Sequence, residues 1–215
     1  MQELINNTIQ FVKKQLEGAE SGHDWFHIER VYKNALAIAK NENCEETIVQ
    51  LGALLHDIAD SKFHDGDETV GPKAARLFLE KENVAEEIIE QVINIIENIS
   101  YKGGNFEQKF HSIELQIVQD ADRLDAIGAI GIARTFNYGG FKNRPMYNPE
   151  ILPNLNMTKE EYKNSDAPTI NHFYEKLLLL KDKMNTETGK QIALKRHDFM
   201  ENFLAQFYAE CNGEI

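Results

Sequence analysis

The stretch that most constrains the fold is Leu51-Gly-Ala-Leu-Leu-His-Asp-Ile-Ala-Asp60. Its first five residues are apolar or glycine and the ionisable pair His56-Asp57 follows directly, so the pattern predicts a buried helix that ends in two polar side chains. An ionisable group is costly to bury without a partner. We therefore expect other polar groups, or an ion, to face this pair.

Two more residues of the same chemistry lie in other predicted helices, His27 before the pair and Asp122 after it. Together the four side chains offer two imidazoles and two carboxylates, which are enough to hold one divalent transition metal ion. This mixed set suits Mn²⁺, Fe²⁺, Co²⁺, Ni²⁺ or Zn²⁺, whereas sites made only of oxygen suit Mg²⁺ or Ca²⁺. The doublet alone is only moderately specific, since similar ones occur at His23-Asp24, His64-Asp65 and His197-Asp198.

The rest of the chain has the hydrophobic period of amphipathic helices. The predicted helices cover residues 4–16, 24–38, 48–60, 74–79, 88–99, 113–132, 170–180 and 192–207, with Asp24 as the N-cap of the second and a break near Gly128 in the sixth. No stretch alternates convincingly with the period of two that a half-buried strand shows. We therefore predict an all-α fold in which residues 1–215 form a single-domain helical bundle.

One segment interrupts this helical pattern, at about residues 139–168. It contains four of the five prolines in the chain. Long loops inside compact domains are usually functional or mobile. Two interpretations stay open at this point: a lid over an active site, and a surface excursion packed over the helices.

Composition limits the classes of partner. A net charge of −12 argues against a surface that binds nucleic acid, but a metal ion and a few basic residues can reverse the field locally for a phosphate-bearing small molecule. The only cysteines, Cys44 and Cys211, are too few and too far apart for a disulfide framework, which favours a reducing cytosol. Neither a signal peptide nor a run of the ~20 apolar residues of a membrane span is evident. We expect a cytoplasmic protein with no membrane partner.

Three segments around the four side chains resemble the HD-domain phosphohydrolase superfamily, whose pattern is a His, a later His-Asp pair and a distal Asp. The segments are Gly22-His-Asp-Trp-Phe-His-Ile-Glu-Arg-Val31, Leu54-Leu-His-Asp-Ile-Ala-Asp-Ser-Lys-Phe63 and Val118-Gln-Asp-Ala-Asp-Arg-Leu-Asp-Ala-Ile-Gly-Ala-Ile-Gly-Ile-Ala-Arg-Thr-Phe136. The likeness extends from about residue 20 to the C-terminal helix and is strongest to a branch of small bacterial HD proteins. It implies an HD-type helical bundle over residues 1–215, with His27, His56, Asp57 and Asp122 as the metal ligands.

The resemblance also implies an activity. Within this branch it implies a nucleoside-triphosphate pyrophosphohydrolase that releases a nucleoside monophosphate and pyrophosphate, with Mn²⁺ favoured and Mg²⁺, Co²⁺, Ni²⁺, Fe²⁺ and Zn²⁺ left open. The alternatives are a 5′-nucleotidase that acts on monophosphates and a non-catalytic HD module that senses a nucleotide. The intact ligand set speaks against the sensor. The implied partner is a small-molecule nucleotide, and a homodimer is left open.

Four residues close to the ligands in sequence are candidates for catalysis or phosphate binding. Asp60 could orient the attacking water or act as general base, and Lys62 could neutralise phosphate charge. Their alternatives are a carboxylate in a helix-terminal turn and an exposed lysine. His23 lies four residues before His27, one helical turn away, and could donate to a phosphate or serve only the start of the helix. His64 has the same two interpretations.

Arg123 and Asp125 follow the distal ligand. Arg123 points to another side of the helix, so a structural ion pair and a phosphate contact are both open. Asp125 lies three residues after Asp122 and shares its helix face. From there it could accept a hydrogen bond from a ligand histidine or from Lys62.

Tyr138 precedes the proline-containing segment, close to Arg134 and Phe136. These side chains could frame a nucleobase by stacking or by cation–π contact, with Tyr138 binding substrate. Aromatic residues at this spacing are more often part of a core. The sequence leaves both interpretations.

Overall fold

The computed structural model describes residues 1–18, 24–58, 67, 69–99, 110–158, 161 and 165–215. No strand occurs within these ranges, and the predicted all-α class is confirmed. In chain order the helices are α1 (Gln2–Gln15), α2 (Trp25–Ala39), α3 (Glu46–Leu55), α4 (Val70–Lys81), α5 (Glu86–Asn98), α6 (Ile113–Asp125), α7 (Gly128–Phe141), α8 (Asn171–Glu175), a 3₁₀ helix (Leu177–Lys183) and α9 (Glu187–Cys211). Of the helices in the described ranges, none has the length and apolar character needed to cross a membrane.

The chain divides into two compact units, Met1–Asp122 and Arg123–Ile215. In the first unit α3 is the central helix, because it packs against α1, α2 and α5. All of its residues from Thr47 to Leu55 are buried except Gln50. A helix that is apolar on nearly every side belongs in a core. This position explains how His56, the residue after α3, comes to lie inside the unit.

Gly52 allows α3 to approach its neighbours closely. A Cβ atom at this position would lie 3.1 Å from Cδ1 of Ile95 and 3.5 Å from Cγ2 of Val118. Ile95 belongs to α5 and Val118 to α6, so a small residue is needed where the three helices meet. Gly52 precedes His56 by one helical turn, and this contact therefore sets the depth at which the end of α3 lies.

The predicted break near Gly128 is confirmed. α6 ends at Asp125 and α7 begins at Gly128, whose φ of +73° lies in the left-handed region that favours glycine. The break ends α6 one turn after Asp122.

The second unit has an aromatic core. Phe136 on α7 lies 6.1 Å from Phe173 on α8, and 6.0 and 6.3 Å from Phe203 and Phe207 on α9, measured between ring centroids. Such distances are typical of favourable aromatic pairs. Phe136 is therefore a core residue of this unit.

The helix predicted for residues 170–180 is wrong as a single element. α8 ends at Glu175, Lys176 leaves helical geometry with φ −143° and ψ −58°, and a 3₁₀ helix follows. Leu177 is buried whereas Leu179 is 49% exposed. A run of four leucines gives the same apolar signal in either type of helix, so hydrophobic period could not distinguish them.

The proline-containing segment begins later than predicted, because α7 continues to Phe141. Gly139 makes this extension fit, since a Cβ there would lie 2.1 Å from Oγ1 of Thr169. Hydrogen bonds join the two ends of the segment: Thr169 N–H donates to the Pro145 carbonyl at 2.8 Å and Ile170 N–H to the Met146 carbonyl at 3.1 Å. The segment is therefore a closed loop anchored on the second unit, and its role as a lid stays a prediction.

Candidate metal centre

The first turn of α2 holds His27 in place. Asp24 is the N-cap of this helix, as predicted, and its carboxylate accepts a hydrogen bond from the His27 backbone N–H at 2.9 Å. His27 shares the buried face of α2 with Val31, Ala35 and Ile38, and it is 2% exposed. Residues at this spacing lie on one side of a helix. The face that anchors α2 in the core therefore also directs the imidazole inward.

His56 is held by a backbone carbonyl. Its Nδ1 lies 2.9 Å from the carbonyl oxygen of Ala53. Since a carbonyl can only accept, Nδ1 must donate, and the neutral ring keeps its lone pair on Nε2. This Nε2 atom is buried and has no hydrogen-bond partner among the described residues. Histidines that bind metals commonly have this arrangement, with one ring nitrogen bonded to the protein and the other directed at the ion.

Burial also keeps His56 neutral. Desolvation lowers the pKa of its imidazole below the ordinary value, and the neighbouring imidazole of His27 acts in the same direction. The carboxylates of Asp122 and Asp57 act in the opposite direction but do not outweigh burial. Because a proton and a metal ion compete for the same lone pair, a lowered pKa favours metal binding at neutral pH.

Asp122 faces both histidines. Its Oδ1 lies 3.6 Å from Nε2 of His27 and 3.9 Å from Nε2 of His56. These distances exceed those of direct hydrogen bonds. Two atoms that each bind one ion at about 2.1 Å lie about 3 to 4 Å apart, so the spacing suits a shared cation. Asp57 joins the group, since one ligand atom each of His27, His56 and Asp57 lies within 4.8 Å of the others.

The four side chains form a cluster with a buried side and an open side. His27 and His56 are 2% and 8% exposed, whereas the side chain of Asp122 is 41% exposed and Asp57 is half-buried. The imidazoles are thus fixed in the core while the carboxylates can be reached from solvent. Two imidazoles and two carboxylates fit a divalent transition metal ion, and within the described ranges one of the imidazole nitrogens has no hydrogen-bond partner.

Sequence reasoning missed Asn34. Its side-chain amide donates to the carbonyl oxygen of Ala121 at 3.2 Å, and this bond ties α2 to the residue before Asp122. Asn34 lies seven residues after His27, which places both on the same side of α2. A polar residue at that spacing on a buried helix face is the signal that could have identified it.

Among the predicted substrate-binding residues that the structure describes, Asp125 is the most buried. It is 1% exposed, and its carboxylate pairs with the guanidinium of Arg134. Arg134 also donates to the Asp125 backbone carbonyl at 3.4 Å. The observed pair holds the end of α6, and substrate binding by Asp125 stays a prediction.

Arg123 and Tyr138 have different surroundings. The Arg123 guanidinium donates to the carbonyl oxygen of Lys183, the last residue of the 3₁₀ helix, at 2.6 Å. Tyr138 is 46% exposed and lies near the cationic groups of Lys142 and Arg144. Arg123 thus has a structural contact and Tyr138 an accessible ring, and both assignments to substrate stay predictions.

Four predicted residues lie outside the described ranges: His23, Asp60, Lys62 and His64. Their proposed roles in catalysis and phosphate binding therefore stay predictions.

The chain is similar to proteins of known family. The HD domain family matches residues 25–127, a range that contains all four cluster residues. The YpgQ protein of Bacillus subtilis is 38% identical over 206 residues, which cover 94% of this chain and 91% of YpgQ. An HD-superfamily hydrolase from Bacillus thuringiensis has a similar crystal structure, with a TM-score of 0.79, 47% identity and 98% of each chain covered.

A further similar structure is that of Bacillus subtilis YpgQ in complex with ADP. It has a TM-score of 0.75 and 34% sequence identity, and the match covers 97% of this chain and 95% of YpgQ.

Proposed function

Because the chain belongs to the HD domain family, we propose that it is a metal-dependent phosphohydrolase that cleaves nucleoside triphosphates into a nucleoside monophosphate and pyrophosphate. The observation that carries the proposal is the buried Nε2 of His56, which has no hydrogen-bond partner among the described residues and lies beside His27 and Asp122. A buried nitrogen without a partner costs stability. A divalent cation held by the cluster would satisfy it.

His27, His56, Asp57 and Asp122 would hold the cation. A bound divalent ion polarises a phosphoryl oxygen and lowers the pKa of water. The protein contributes fixed geometry: the Ala53 carbonyl orients the imidazole of His56, and Asp24 orients the start of α2 and with it His27. Preorganised ligands of this kind avoid reorganisation when the substrate arrives.

The exposure of Asp122 supports access by substrate. Its side chain is 41% exposed, so the carboxylate side of the cluster is open to water and to a phosphate group. Among the residues outside the described ranges, we assign Asp60 to orienting the attacking water and Lys62 to neutralising phosphate charge. In-line attack then separates the monophosphate from pyrophosphate.

A nucleotide is the ligand class with the most support. YpgQ, which matches nearly the whole chain, has been crystallised with ADP. A diphosphate carries the same pyrophosphate linkage that a triphosphate presents to a hydrolase. Manganese is the metal that we favour, since two imidazoles and two carboxylates suit this ion.

The test is to identify the products. Incubation with a panel of nucleoside triphosphates and Mn²⁺, Mg²⁺, Co²⁺, Ni²⁺, Fe²⁺ or Zn²⁺ should release pyrophosphate and no inorganic phosphate. His56→Ala should lose both metal binding and turnover, and His111→Ala should retain both because His111 is exposed. Phosphate release from monophosphates would instead indicate a 5′-nucleotidase. Nucleotide binding without turnover in any of the metals would indicate a sensor.

A further inference from the structure

A group of basic side chains lies in the second unit, at the end of α7 and beyond it. We call Lys142, Arg144 and Lys176 the cationic cluster. Nζ of Lys142 lies 5.7 Å, and Cζ of Arg144 5.6 Å, from the ring centroid of Tyr138. Cations at such distances are attracted to an aromatic ring. The Tyr138 ring is also 46% exposed, so a ligand could reach it.

The backbone fixes this arrangement. After α7 the chain turns through Asn143, whose φ of +53° is left-handed. The Lys142 N–H then donates to the Tyr138 carbonyl and the Arg144 N–H to the Gly139 carbonyl, each at 2.9 Å. This is a common way to end a helix, and it returns the chain towards the last turn. Arg144 is therefore directed back to Tyr138 by a defined turn.

Lys142 and Arg144 are not neutralised by a carboxylate of the described residues. Among the described residues, no carboxylate forms an ion pair with Lys142 or Arg144, although the chain carries a net charge of −12. Arg76 in the first unit shows the usual alternative, since it pairs with Glu86 and Glu90. The two unpaired cations therefore create a positive patch on an acidic protein.

Arg144 has capacity for a further contact. One of its terminal nitrogens donates to the carbonyl oxygen of Ser165. Its Nε atom is buried and has no hydrogen-bond partner among the described residues. A guanidinium nitrogen is always a donor, and leaving it unpaired costs stability. An anion is the partner that would satisfy both this donor and the unpaired charge.

The positive charges of the cationic cluster also affect the pKa of His172. Burial, followed by the positive charges of Lys176 and Arg144, lowers the pKa of His172 to about 3. Its imidazole is thus neutral at physiological pH. Two members of the cationic cluster act on it in the same direction as burial, as expected where positive potential dominates.

We infer that the cationic cluster binds a multiply charged phosphate anion, with Lys142 and Arg144 contacting the phosphates beside the Tyr138 ring. The binding of an anion follows from the geometry and charge of this region alone. The choice of a phosphate rests on the proposed function. The two sources of such a ligand are the phosphate chain of a nucleotide and free pyrophosphate.

Calorimetric titration of the full chain with inorganic pyrophosphate tests this inference. EDTA in the buffer removes metal ions, so the anion cannot bind through a metal ion held by His27 and Asp122. We expect wild type to bind pyrophosphate, with an affinity that falls as salt is added. Lys142→Gln and Arg144→Gln should each weaken binding about tenfold, since each removes one charge-assisted contact. Lys195→Gln is the matched control, because it removes an exposed positive charge from α9.

Equal pyrophosphate affinity in Lys142→Gln, Arg144→Gln and Lys195→Gln would overturn the inference, as would absence of binding by wild type. Lys142→Gln is decisive if Arg144→Gln fails to fold, because the Lys142 side chain is exposed. Titration with ADP separates the two sources. If ADP binds more tightly than pyrophosphate and Tyr138→Leu removes this difference, the ligand is a nucleotide. If ADP binds no more tightly than pyrophosphate, the ligand is pyrophosphate. Pyrophosphate binding without any triphosphate turnover would refute the proposed function and leave this inference standing.

Discussion

Two buried histidines face opposite charges in the two units. His56 lies beside the carboxylates of Asp122 and Asp57, which raise the pKa of its imidazole against the effect of burial. His172 lies near Lys176 and Arg144, which lower its pKa in addition to burial. Both rings are neutral, so neither contributes charge to its region at physiological pH. The fixed charges around each ring therefore differ in sign: the carboxylates near His56 favour a cation, and the basic side chains near His172 favour an anion.

This contrast explains how an acidic chain can accept a phosphate ligand. A net charge of −12 repels polyphosphates on average, but the charge close to a binding site matters more than the net charge of the chain. The carboxylates of the first unit are suited to concentrate a cation. In the second unit, Lys142 and Arg144 form no ion pair with a carboxylate among the described residues, and these two cations are suited to an anion.

The largest expected effect comes from removing Asp122. Asp122→Ala should reduce Mn²⁺ affinity by more than about a hundredfold and abolish triphosphate turnover, because the carboxylate that faces both imidazoles is gone. Metal content after dialysis and Mn²⁺ titration by electron paramagnetic resonance measure this. Asp198→Ala serves as the control, since Asp198 is an exposed carboxylate that also follows a histidine. Full turnover by metal-free Asp122→Ala would break the assignment of the first unit to a cation.

Arg134 tests whether a buried charge needs an opposite one. Arg134→Ala leaves the carboxylate of Asp125, which is 1% exposed, without its guanidinium. Breaking a buried pair by removing one partner costs about 3 to 5 kcal/mol, so we expect the free energy of unfolding to fall by that order. Urea unfolding of the metal-free chain measures it, and the double variant Asp125→Asn/Arg134→Ala should recover part of the loss. A loss below about 1 kcal/mol would mean that solvent, or the nearby guanidinium of Arg196, compensates the charge of Asp125.

Sequence alone could predict the first unit better than the second. The candidate ligands His56 and Asp57 directly follow α3, whose sequence is almost entirely apolar from Leu51 to Leu55, and this pattern is visible without a structure. The hydrogen bond from the Asn34 amide to the Ala121 carbonyl depends on how α2 and α6 lie against each other, which spacing cannot give.

The cationic cluster had no comparable signal in the sequence. It depends on a left-handed residue at Asn143 that returns Arg144 to Tyr138, and asparagine adopts this conformation only in some turns. The same limit applies after α8, where the 3₁₀ helix has the leucine content of an α-helix. In both places tertiary packing determines the backbone conformation.

Acid should reveal the neutral state of His172. The folded pKa of about 3 lies below the unfolded value of 6.5, so the unfolded chain binds a proton that the folded chain does not. Stability is therefore retained above pH 6.5 and lost as the pH falls from there towards 3. The loss amounts to about 1.4 kcal/mol per pH unit, or about 2 kcal/mol between pH 7 and 5. Urea unfolding of metal-free wild type and His172→Gln at both pH values isolates this contribution.

His111→Gln provides the control for the acid effect, because His111 is exposed and its removal should leave the pH dependence of wild type. If His172→Gln loses as much stability between pH 7 and 5 as wild type does, His172 titrates normally in the folded chain. The contrast between the two histidines would then be lost.

The smallest expected effect belongs to Asn34, whose side-chain amide bonds to a backbone carbonyl next to the cluster. Its amide holds the Ala121 carbonyl, one residue before Asp122, so Asn34→Ala should lower Mn²⁺ affinity by about tenfold. The free energy of unfolding should fall by only about 1 kcal/mol, the typical value of one hydrogen bond. Asn34→Leu keeps a side chain of similar size but cannot donate, so it should also lose the bond to Ala121. Asn34→Ala could instead lower stability and leave Mn²⁺ affinity unchanged. In that case α6 alone sets the position of Asp122, and α2 contributes only His27 to cation binding in the first unit.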